Sequence, residues 1–214
     1  TPEEKDGSAD LKFVKSVVDD IASKAVESKV VVIKSTVPPG TANEIQNIFN
    51  NKLRKKNVFV RVASNPEFLR EGSAIKDFLK PDRVIVGIQH KELKSYFSKL
   101  YSSSHFKKKI IFMDALSAEL TKYASNAMLA TKISFINEIA NISDLIGAEI
   151  DFVKQGLASD KRIGNSFINP GAGYGGSCFP KDVKALISKA HDLGYRPKLL
   201  KATDAVNKNQ KLII

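Results

Sequence analysis

The fold is decided by residues 30–40, which read VVVIKSTVPPG. Four β-branched residues in a row predict a short buried strand, and the polar residues, prolines and glycine after them predict a turn. Apolar residues recur at helical spacing on both sides of this stretch. They are Leu11, Val14, Val17, Val18, Ile21 and Ala25 before it, and Ile45, Ile48, Phe49 and Leu53 after it. A strand between two amphipathic helices is typical of an α/β protein.

The same alternation continues to residue 113. Further strands are predicted at 58–62, 83–88 and 110–113, with a helix of helically spaced apolar residues between the last two. Helices that separate buried strands form βαβ units, whose strands lie parallel. We therefore predict that residues 1–114 form an α/β domain with a parallel sheet. No GxGxxG turn occurs, so either this sheet binds no dinucleotide or its first half is missing; the start at Thr1 rather than Met favours the second half of a Rossmann-like sheet.

A change of pattern after Asp114 predicts a second domain. Residues 115–146 contain neither proline nor glycine, so one helix of about nine turns is predicted there. Shorter helices are predicted at 151–158, from Pro180 to Gly194 and from about Leu199. The start of the second of these is placed at Pro180 because proline is favoured at the first helical position. Residues 115–214 are therefore predicted to form an all-helical domain built on one long helix.

Composition excludes several classes of protein. The 214 residues are 43% hydrophobic and 27% charged, which is ordinary for a globular protein. The single cysteine cannot form an internal disulfide, so a secreted disulfide scaffold is excluded and a reducing, cytoplasmic location is expected. No apolar run approaches the roughly 20 residues of a membrane span. The net charge of +11 is spread without a long basic run, so nucleic-acid binding is not expected.

The strongest candidate for chemistry is residues 171–182, GAGYGGSCFPKD. Its glycines let the backbone approach a ligand closely. Cys178 lies just before a predicted helix, where unpaired N–H groups and Lys181 would favour a thiolate that attacks a carbonyl carbon. Asp182 follows in the first turn. The alternative for Cys178 is a small buried apolar residue before a helix.

A second candidate, residues 64–72 (SNPEFLREG), directly follows a predicted strand. Asn65 is predicted to cap the turn after it, which would place Glu67, Arg70 and Glu71 on one side. Carboxylates at the carboxyl end of a strand could activate water or hold a hydroxyl group. The alternative is a capped turn with an exposed ion pair between glutamate and arginine.

Two further candidates are single residues or pairs. Thr36 could position a ligand or a water molecule, or it could serve only in the turn between strand and helix. Lys122 and Asn126 lie one turn apart on the long predicted helix and could stabilise an oxyanion, although exposed polar pairs at this spacing are common. The three histidines lack the spacing of metal ligands, so no metal site is expected.

Taken together, these segments resemble the UDP-glucose/GDP-mannose dehydrogenase family of NAD-dependent sugar-nucleotide dehydrogenases. The matching stretches are residues 34–40, 65–72, 119–141 and 162–182, of which the last is the most specific. The resemblance spans essentially the whole chain. No GxGxxG turn occurs and the chain does not begin with Met, so we expect a fragment, inactive alone, without the family's opening dinucleotide turn and C-terminal UDP-binding domain.

The resemblance implies a four-electron oxidation of UDP-glucose to UDP-glucuronate with NAD as cofactor. In that reaction Cys178 adds to a sugar aldehyde and forms a thiohemiacetal and then a thioester, from which water releases the acid. Lys122 and Asn126 are implied to stabilise the oxyanion.

The resemblance also implies roles for residues that handle water and ligands. Asp182 would help to organise the water or the proton transfer, while Thr36 and Glu67 would hold and activate the water. The implied substrate contacts are Glu67, Phe68, Leu69, Arg70, Glu71, Lys122, Asn126, Arg162, Phe167, Ile168, Asn169, Pro170, Gly171 and Gly175. The implied neighbours of the nicotinamide are Thr36, Glu71 and Lys181.

The resemblance implies a homodimer or a higher homo-oligomer as well. Arg162 resembles an arginine that reaches into the site of the neighbouring subunit, and the long helix resembles the family's dimer core.

Three other functions are compatible with parts of the sequence. The nearest is a related dehydrogenase that acts on GDP-mannose or on a UDP-N-acetylhexosamine. A non-catalytic oligomerisation or binding module would use the helical core without a dinucleotide turn. Nucleic-acid binding would give an affinity that falls steeply with salt, and no long basic run supports it.

Overall fold

A four-stranded sheet forms the centre of the first part of the chain. The computed structural model describes residues 1–103, 105–106 and 108–213. β1 pairs with β2 and β3 pairs with β4 in parallel, whereas β2 and β3 are antiparallel. The strands lie side by side in sequence order and are β1 (Lys29–Ile33), β2 (Val60–Ser64), β3 (Val84–Ile88) and β4 (Ile110–Met113).

Helices precede, separate and follow the strands. Those before and between the strands are α1 (Lys12–Lys24), α2 (Thr41–Leu53), α3 (Ala74–Leu79) and α4 (Leu93–Leu100). Those after the sheet are α5 (Ala115–Ile146), α6 (Ile150–Ser159), α7 (Phe179–Asp192) and α8 (Lys198–Gln210). The predicted α/β class, with a helical part built on one long helix, is confirmed. Within the described ranges, no helix is both long enough and apolar enough to cross a bilayer.

The antiparallel pair differs from the fully parallel sheet predicted for residues 1–114. Ala63 pairs with Ile88 and Ser64 with Gly87. If β3 lay parallel to β2, the connection between them would have to cross over a face of the sheet and pack on it. The connection between β2 and β3 carries α3 alone, a helix of six residues with none buried. β3 therefore returns in the opposite direction, and the sheet is mixed with parallel pairs predominating.

Both faces of the sheet are covered by helices. On one face, Val60 packs in a cluster with Ile45 and Phe49 of α2. On the other face, Ala63 packs in a cluster with Phe97 of α4. Burial of a side chain such as Phe49 contributes about 2 kcal/mol, so these clusters hold the strand ends and the turns that follow them.

Gly87 in β3 lets the start of α5 pack directly on the sheet. A Cβ atom at this position would lie 2.6 Å from the Cβ of Ala118 and 2.8 Å from the Cα of Ala115. Both distances are shorter than van der Waals contact allows, so glycine is required here for close approach. The first turn of α5 is thereby fixed against β3.

The described residues divide into two compact units. The first contains Thr1–Pro2 and Ala9–Tyr123, and the second contains Glu3–Ser8 and the chain from Ala124 onward. This division falls within α5, whereas the sequence pattern places a domain boundary after Asp114. The predicted domain boundary stays a prediction.

In the second unit, α7 and the loop before it pack against α5. Tyr174 and Val183 form a buried cluster with Ala127 and Ala130. The small alanine side chains let the loop approach the helix closely, so the loop before α7 has a defined place on α5.

Candidate active site

Cys178 lies at the N-terminus of α7 and is exposed. Its carbonyl oxygen accepts the backbone N–H of Asp182 at 3.0 Å, which closes the first turn of the helix. Its Sγ lies 3.7 Å from the Oγ of Ser177. The alternative of a buried apolar cysteine is therefore wrong for this residue. An exposed thiol at the positive end of a helix dipole is accessible to a substrate carbonyl.

Asp182 is buried one turn into α7 and is held from both sides. Its Oδ2 accepts the Nδ2–H of Asn126 at 2.6 Å, and its Oδ1 accepts the ammonium of Lys181 at 2.5 Å. A buried carboxylate is stable only with such partners. Asp182 therefore pairs with Lys181 and Asn126 in the first turn of α7, one turn after Cys178.

The segment leading to the glycine-rich loop holds the predicted substrate residues of the second unit. Phe167 has a φ of +63°, which is rare for a bulky residue and is concentrated at functional sites. Its ring lies edge to face with that of Phe179, with the ring centroids 6.0 Å apart. Ile168 is buried and Pro170 is half-buried. The exposed members are Asn169, Gly171 and Gly175.

In the first unit, the turn after β1 holds Thr36 in a buried position. Its carbonyl oxygen accepts the hydroxyl of Thr1 at 2.8 Å. The turn leads into α2, where the carboxylate of Glu119 accepts the N–H of Gly40 at 2.7 Å and that of Ala42 at 2.8 Å. Glu119 of α5 therefore caps another helix, a role that the sequence analysis missed.

Glu119 titrates in an unusual range. The residue is 2% exposed. Burial raises the pKa of its carboxyl group to about 7, although the backbone N–H groups of α2 oppose this shift. The N-terminus of α2 is therefore capped by a group that changes its charge near neutral pH.

The side chain of Asn65 bonds to β3 and to the residues that directly follow β1 and α4. Its Nδ2 donates to the carbonyl oxygen of Ile85 at 2.7 Å. Its Oδ1 accepts the ammonium of Lys34 at 3.0 Å and the hydroxyl of Tyr101 at 2.5 Å. The prediction that Asn65 caps a turn is wrong, because residues 65–70 contain no helical turn.

The carboxylate of Glu67 interacts electrostatically with the oppositely charged ammonium of Lys34. Burial lowers the pKa of Lys34, although the residue keeps an exposed surface, and the carboxylate of Glu67 opposes that shift. The Oε2 of Glu67 is buried without a hydrogen-bond partner in the described part of the chain. Since buried carboxylate oxygens normally accept hydrogen bonds, this atom is a candidate for holding water or a substrate hydroxyl.

Two cations contact the ring of Phe68. The ammonium of Lys122 lies 5.0 Å from the ring centroid, and the guanidinium carbon of Arg83 lies 4.0 Å from it. The structure thus brings Lys122, which is 5% exposed, to one of the predicted substrate residues. Asn126 lies one turn further along α5 and is also buried. Arg83 was missed because an arginine at the start of a strand carries no distinctive pattern.

The rest of the 65–72 segment is more exposed. Leu69 and Glu71 are exposed. Arg70 forms a bidentate ion pair with Asp77 of α3, with distances of 2.6 and 2.9 Å. Hydrogen bonds from Arg70 hold the pKa of Asp77 well below its usual range. The arginine therefore pairs with an aspartate on α3.

Arg162 lies on the surface of the second unit. Its side chain is 90% exposed and pairs with Asp160 at 2.5 Å. Its implied role in a neighbouring subunit stays a prediction. Across the described residues, no group of three or more histidine, cysteine, aspartate or glutamate side chains could hold a metal ion.

Comparison with solved structures gives the class of protein. A UDP-glucose dehydrogenase from Pyrobaculum islandicum matches with a TM-score of 0.89 and 40% identity, over 98% of this chain and 48% of that chain. A UDP-D-ManNAc dehydrogenase from Pyrococcus horikoshii matches with a TM-score of 0.88 and 25% identity, over 100% of this chain and 49% of that chain. The fold thus matches that of two sugar-nucleotide dehydrogenases, over about half the length of each.

Sequence comparison identifies the family. Residues 1–105 match the NAD binding domain of the UDP-glucose/GDP-mannose dehydrogenase family, and residues 116–209 match its central domain, so the chain belongs to this family. The UDP-glucose 6-dehydrogenase of Pseudomonas aeruginosa is 47% identical over 219 residues, which cover 100% of this chain and 48% of the relative. The chain spans about half the length of the curated relatives it matches. The family and the expected cofactor, NAD, are confirmed.

Proposed function

We propose that the protein containing this chain oxidises UDP-glucose to UDP-glucuronate, with two hydride transfers to NAD and a covalent bond to Cys178. The observation that carries the proposal is the exposed Cys178 at the N-terminus of α7, one turn before the buried pair of Asp182 and Asn126. Membership of a dehydrogenase family and the name of the P. aeruginosa relative support the choice of reaction.

In the first oxidation, a hydride leaves C6 of the glucose unit and the 6-hydroxyl group loses its proton, which gives an aldehyde. That proton passes to water. Thr36 and Glu67 hold and activate the water that later releases the acid, and the buried, unpartnered Oε2 of Glu67 supports this role. Lys122 supplies a positive charge that stabilises the oxygen as its proton leaves.

Cys178 then adds to the aldehyde as a thiolate. A bond forms between Sγ and C6, and the carbonyl electrons move to the oxygen of a thiohemiacetal. Lys122 and Asn126 stabilise that oxygen. The Nδ2 of Asn126 has two hydrogens, of which Asp182 takes one, so the second is available as a donor. A donor of this kind contributes roughly 3 kcal/mol to a transition state.

The second oxidation removes the remaining hydride from C6 and leaves a thioester on Cys178. Water attacks the thioester carbon, the bond between carbon and sulfur breaks, and the carboxylate product leaves. Asp182 helps to orient that water and takes part in its proton transfer, since its carboxylate is held in place by Lys181 and Asn126.

Three residues, Thr36, Glu71 and Lys181, are proposed to border the nicotinamide end of NAD. When bound, NAD supplies the hydride acceptor. Thr36 follows β1 at the strand end where such sheets bind nucleotides, and Glu71 and Lys181 would border the nicotinamide. The N–H groups of Gly40 and Ala42 at the start of α2 are already bonded to Glu119, so this helix terminus is not offered to a phosphate.

A homodimer or higher homo-oligomer through α5 is also part of the proposal. Met128, Phe135 and Ile142 are 64%, 51% and 46% exposed and recur at every seventh residue, so they form one apolar stripe along the helix. A second copy of the same stripe would bury it. Arg162, exposed on the same unit, would contribute to the partner's site.

Product stoichiometry tests the proposed reaction. The complete protein, supplied with UDP-glucose and excess NAD, is expected to form two NADH per UDP-glucuronate. One NADH per substrate with an aldehyde product would contradict the covalent step, and no NADH would contradict the proposal. Greater activity with GDP-mannose or a UDP-N-acetylhexosamine would favour the related dehydrogenases, one of which has the same fold.

A cytoplasmic location stays a prediction.

A further inference from the structure

Three side-chain amides hold the backbone of the glycine-rich loop. They are Asn137 on α5 and Asn207 and Gln210 on α8, which we call the amide clamp. All three are buried. Because they bond to main-chain atoms of the loop rather than to its side chains, they fix its path.

Asn207 makes the most complete of these contacts. Its Oδ1 accepts the backbone N–H of Tyr174 at 2.7 Å, and its Nδ2 donates to the carbonyl oxygen of Tyr174 at 3.1 Å. The amide thus pairs with both polar groups of one residue, as a neighbouring strand would.

The backbone conformation of Gly173 and its lack of a side chain make room for the side chain of Asn207. Its φ is +94°, and a Cβ atom there would lie 2.5 Å from the Oδ1 of Asn207. Glycine is therefore required at this position both by the backbone angle and by the close approach of the clamp.

A second point of the loop is held at Gly171. Its N–H donates to the Oδ1 of Asn137 at 2.8 Å, and its carbonyl oxygen accepts the Nε2–H of Gln210 at 3.0 Å. Gln210 is itself oriented by Asn141, whose Nδ2 donates to the Oε1 of Gln210 at 2.9 Å. The loop is therefore fixed at residues 171 and 174.

Two glycines, Gly175 and Gly176, link the clamped residue Tyr174 to Ser177 and Cys178. Residues 175–177 are exposed, and Gly176 has a φ of +76°. Tyr174 lies four residues before Cys178, so the hydrogen bonds that hold Tyr174 limit where the loop can place Cys178.

We propose that Asn207, supported by Gln210, is a positioning residue for Cys178: α8 sets the place of the reacting sulfur by holding the backbone of the loop before it. This inference rests on the proposed function for the chemical role of Cys178, whereas the hold on the loop does not depend on that role. Loss of the clamp is expected to slow the chemical steps, because a misplaced nucleophile reacts less often.

The test compares Asn207→Ala with Asn209→Ala in the complete protein. Asn209 is exposed on the same helix, so its substitution makes the same chemical change without touching the loop. Hydrogen exchange of the amides at 171–178 is expected to become about thirtyfold faster in Asn207→Ala, since two hydrogen bonds of about 1 kcal/mol each are lost and about 1.4 kcal/mol corresponds to a factor of ten. We expect kcat to fall by about tenfold with the KM for NAD unchanged. Asn209→Ala is expected to match the wild type in all three measurements.

Two results would overturn the inference. Wild-type exchange rates in Asn207→Ala would show that the clamp does not hold the loop, and faster exchange with unchanged kcat would show that it does not position Cys178. If Asn207→Ala does not fold, Asn207→Asp answers the same question, because its carboxylate keeps the shape but repels the carbonyl oxygen of Tyr174. If the wild type forms no NADH, the proposed function fails, while the exchange rates still decide whether the clamp holds the loop.

Discussion

The Nδ2 of Asn126 donates a hydrogen bond of 2.6 Å to the Oδ2 of Asp182. This bond joins α5 to the first turn of α7 directly after Cys178. It gives Asp182 a fixed orientation and leaves Asn126 with one further hydrogen to donate. The two side chains therefore act as one unit in the proposed chemistry.

Asp182→Asn is expected to slow release of the acid more than formation of the thioester, because the substitution removes the negative charge that organises the attacking water. The measurement is a rapid burst of NADH followed by a slow phase, with the acylated enzyme detected by intact mass. Asp19→Asn is the matched control, since Asp19 also pairs with a lysine, Lys52, but lies at the surface with its side chain 57% exposed. An equal fall in the rate of the NADH burst and in the rate of the slow phase would contradict the role assigned to Asp182.

Cys178→Ser is expected to abolish net formation of UDP-glucuronate, since a serine hydroxyl does not ionise readily at neutral pH. Formation of product is followed by chromatography of the nucleotide sugars. Ser177→Ala, which alters the neighbouring exposed hydroxyl, is the control and is expected to retain turnover. Normal turnover by Cys178→Ser would exclude covalent catalysis.

Lys122→Ala is expected to lower kcat more than it raises the KM for UDP-glucose, as for a contact made mainly in the transition state. Steady-state kinetics at saturating NAD provide the measurement. Lys132→Ala is the control on the same helix, since Lys132 bonds to the carbonyl oxygen of Ile163 instead. A change confined to KM would make Lys122 a substrate anchor.

Arg83→Met is expected to lower the free energy of unfolding by about 1 kcal/mol through loss of its contact with Phe68. The guanidinium carbon lies 4.0 Å from that ring, whereas Arg61 lies 6.0 Å from the more exposed ring of Phe59. Arg61→Met is therefore the matched control and is expected to change stability by less. Denaturant unfolding of both variants measures the difference, and equal effects would contradict the assignment.

Glu119→Gln is expected to flatten the dependence of stability on pH. Burial raises the pKa of Glu119 from 4.5 to about 7 in the folded protein, so the folded state binds the proton more tightly than the unfolded state. The resulting stabilisation is fully present below pH 4.5 and is lost as pH rises through about 7. Glutamine does not titrate, so the free energy of unfolding of the variant should fall less than that of the wild type over this range.

Glu44→Gln provides the control for that experiment. Glu44 lies in the first turn of the same helix, α2, but is 49% exposed and pairs with Lys15. Its substitution is expected to leave the pH dependence as in the wild type. Parallel curves for wild type and Glu119→Gln would show that the carboxyl group of Glu119 is not responsible.

The secondary structure was largely predictable because each element carries its own apolar period. The long helix ends within one residue of its predicted end, since residues 115–146 lack proline and glycine. The direction of β3 was not predictable in this way. It depends on whether the connection after β2 packs on the sheet, and α3 is too short and too exposed to do so.

The site was less predictable than the fold because its contacts join distant residues. The motif around Cys178 left both an exposed and a buried thiol open. The partners of Asn65, which are Lys34, Ile85 and Tyr101, are distant in the sequence. Asn207 and Gln210 are polar residues on a helix and would ordinarily face solvent. Both are buried because they satisfy the main chain of the loop, a pairing that no local pattern encodes.

The missing side chain at Gly87 limits how this protein can be changed. Even alanine there would displace the backbone of Ala115 or the methyl group of Ala118, and both belong to the helix that carries Lys122 further along. A randomised library at codon 87, selected for the full reaction, should return glycine alone. Position 87 thus tolerates no residue with a side chain, although glycine itself takes no part in the chemistry.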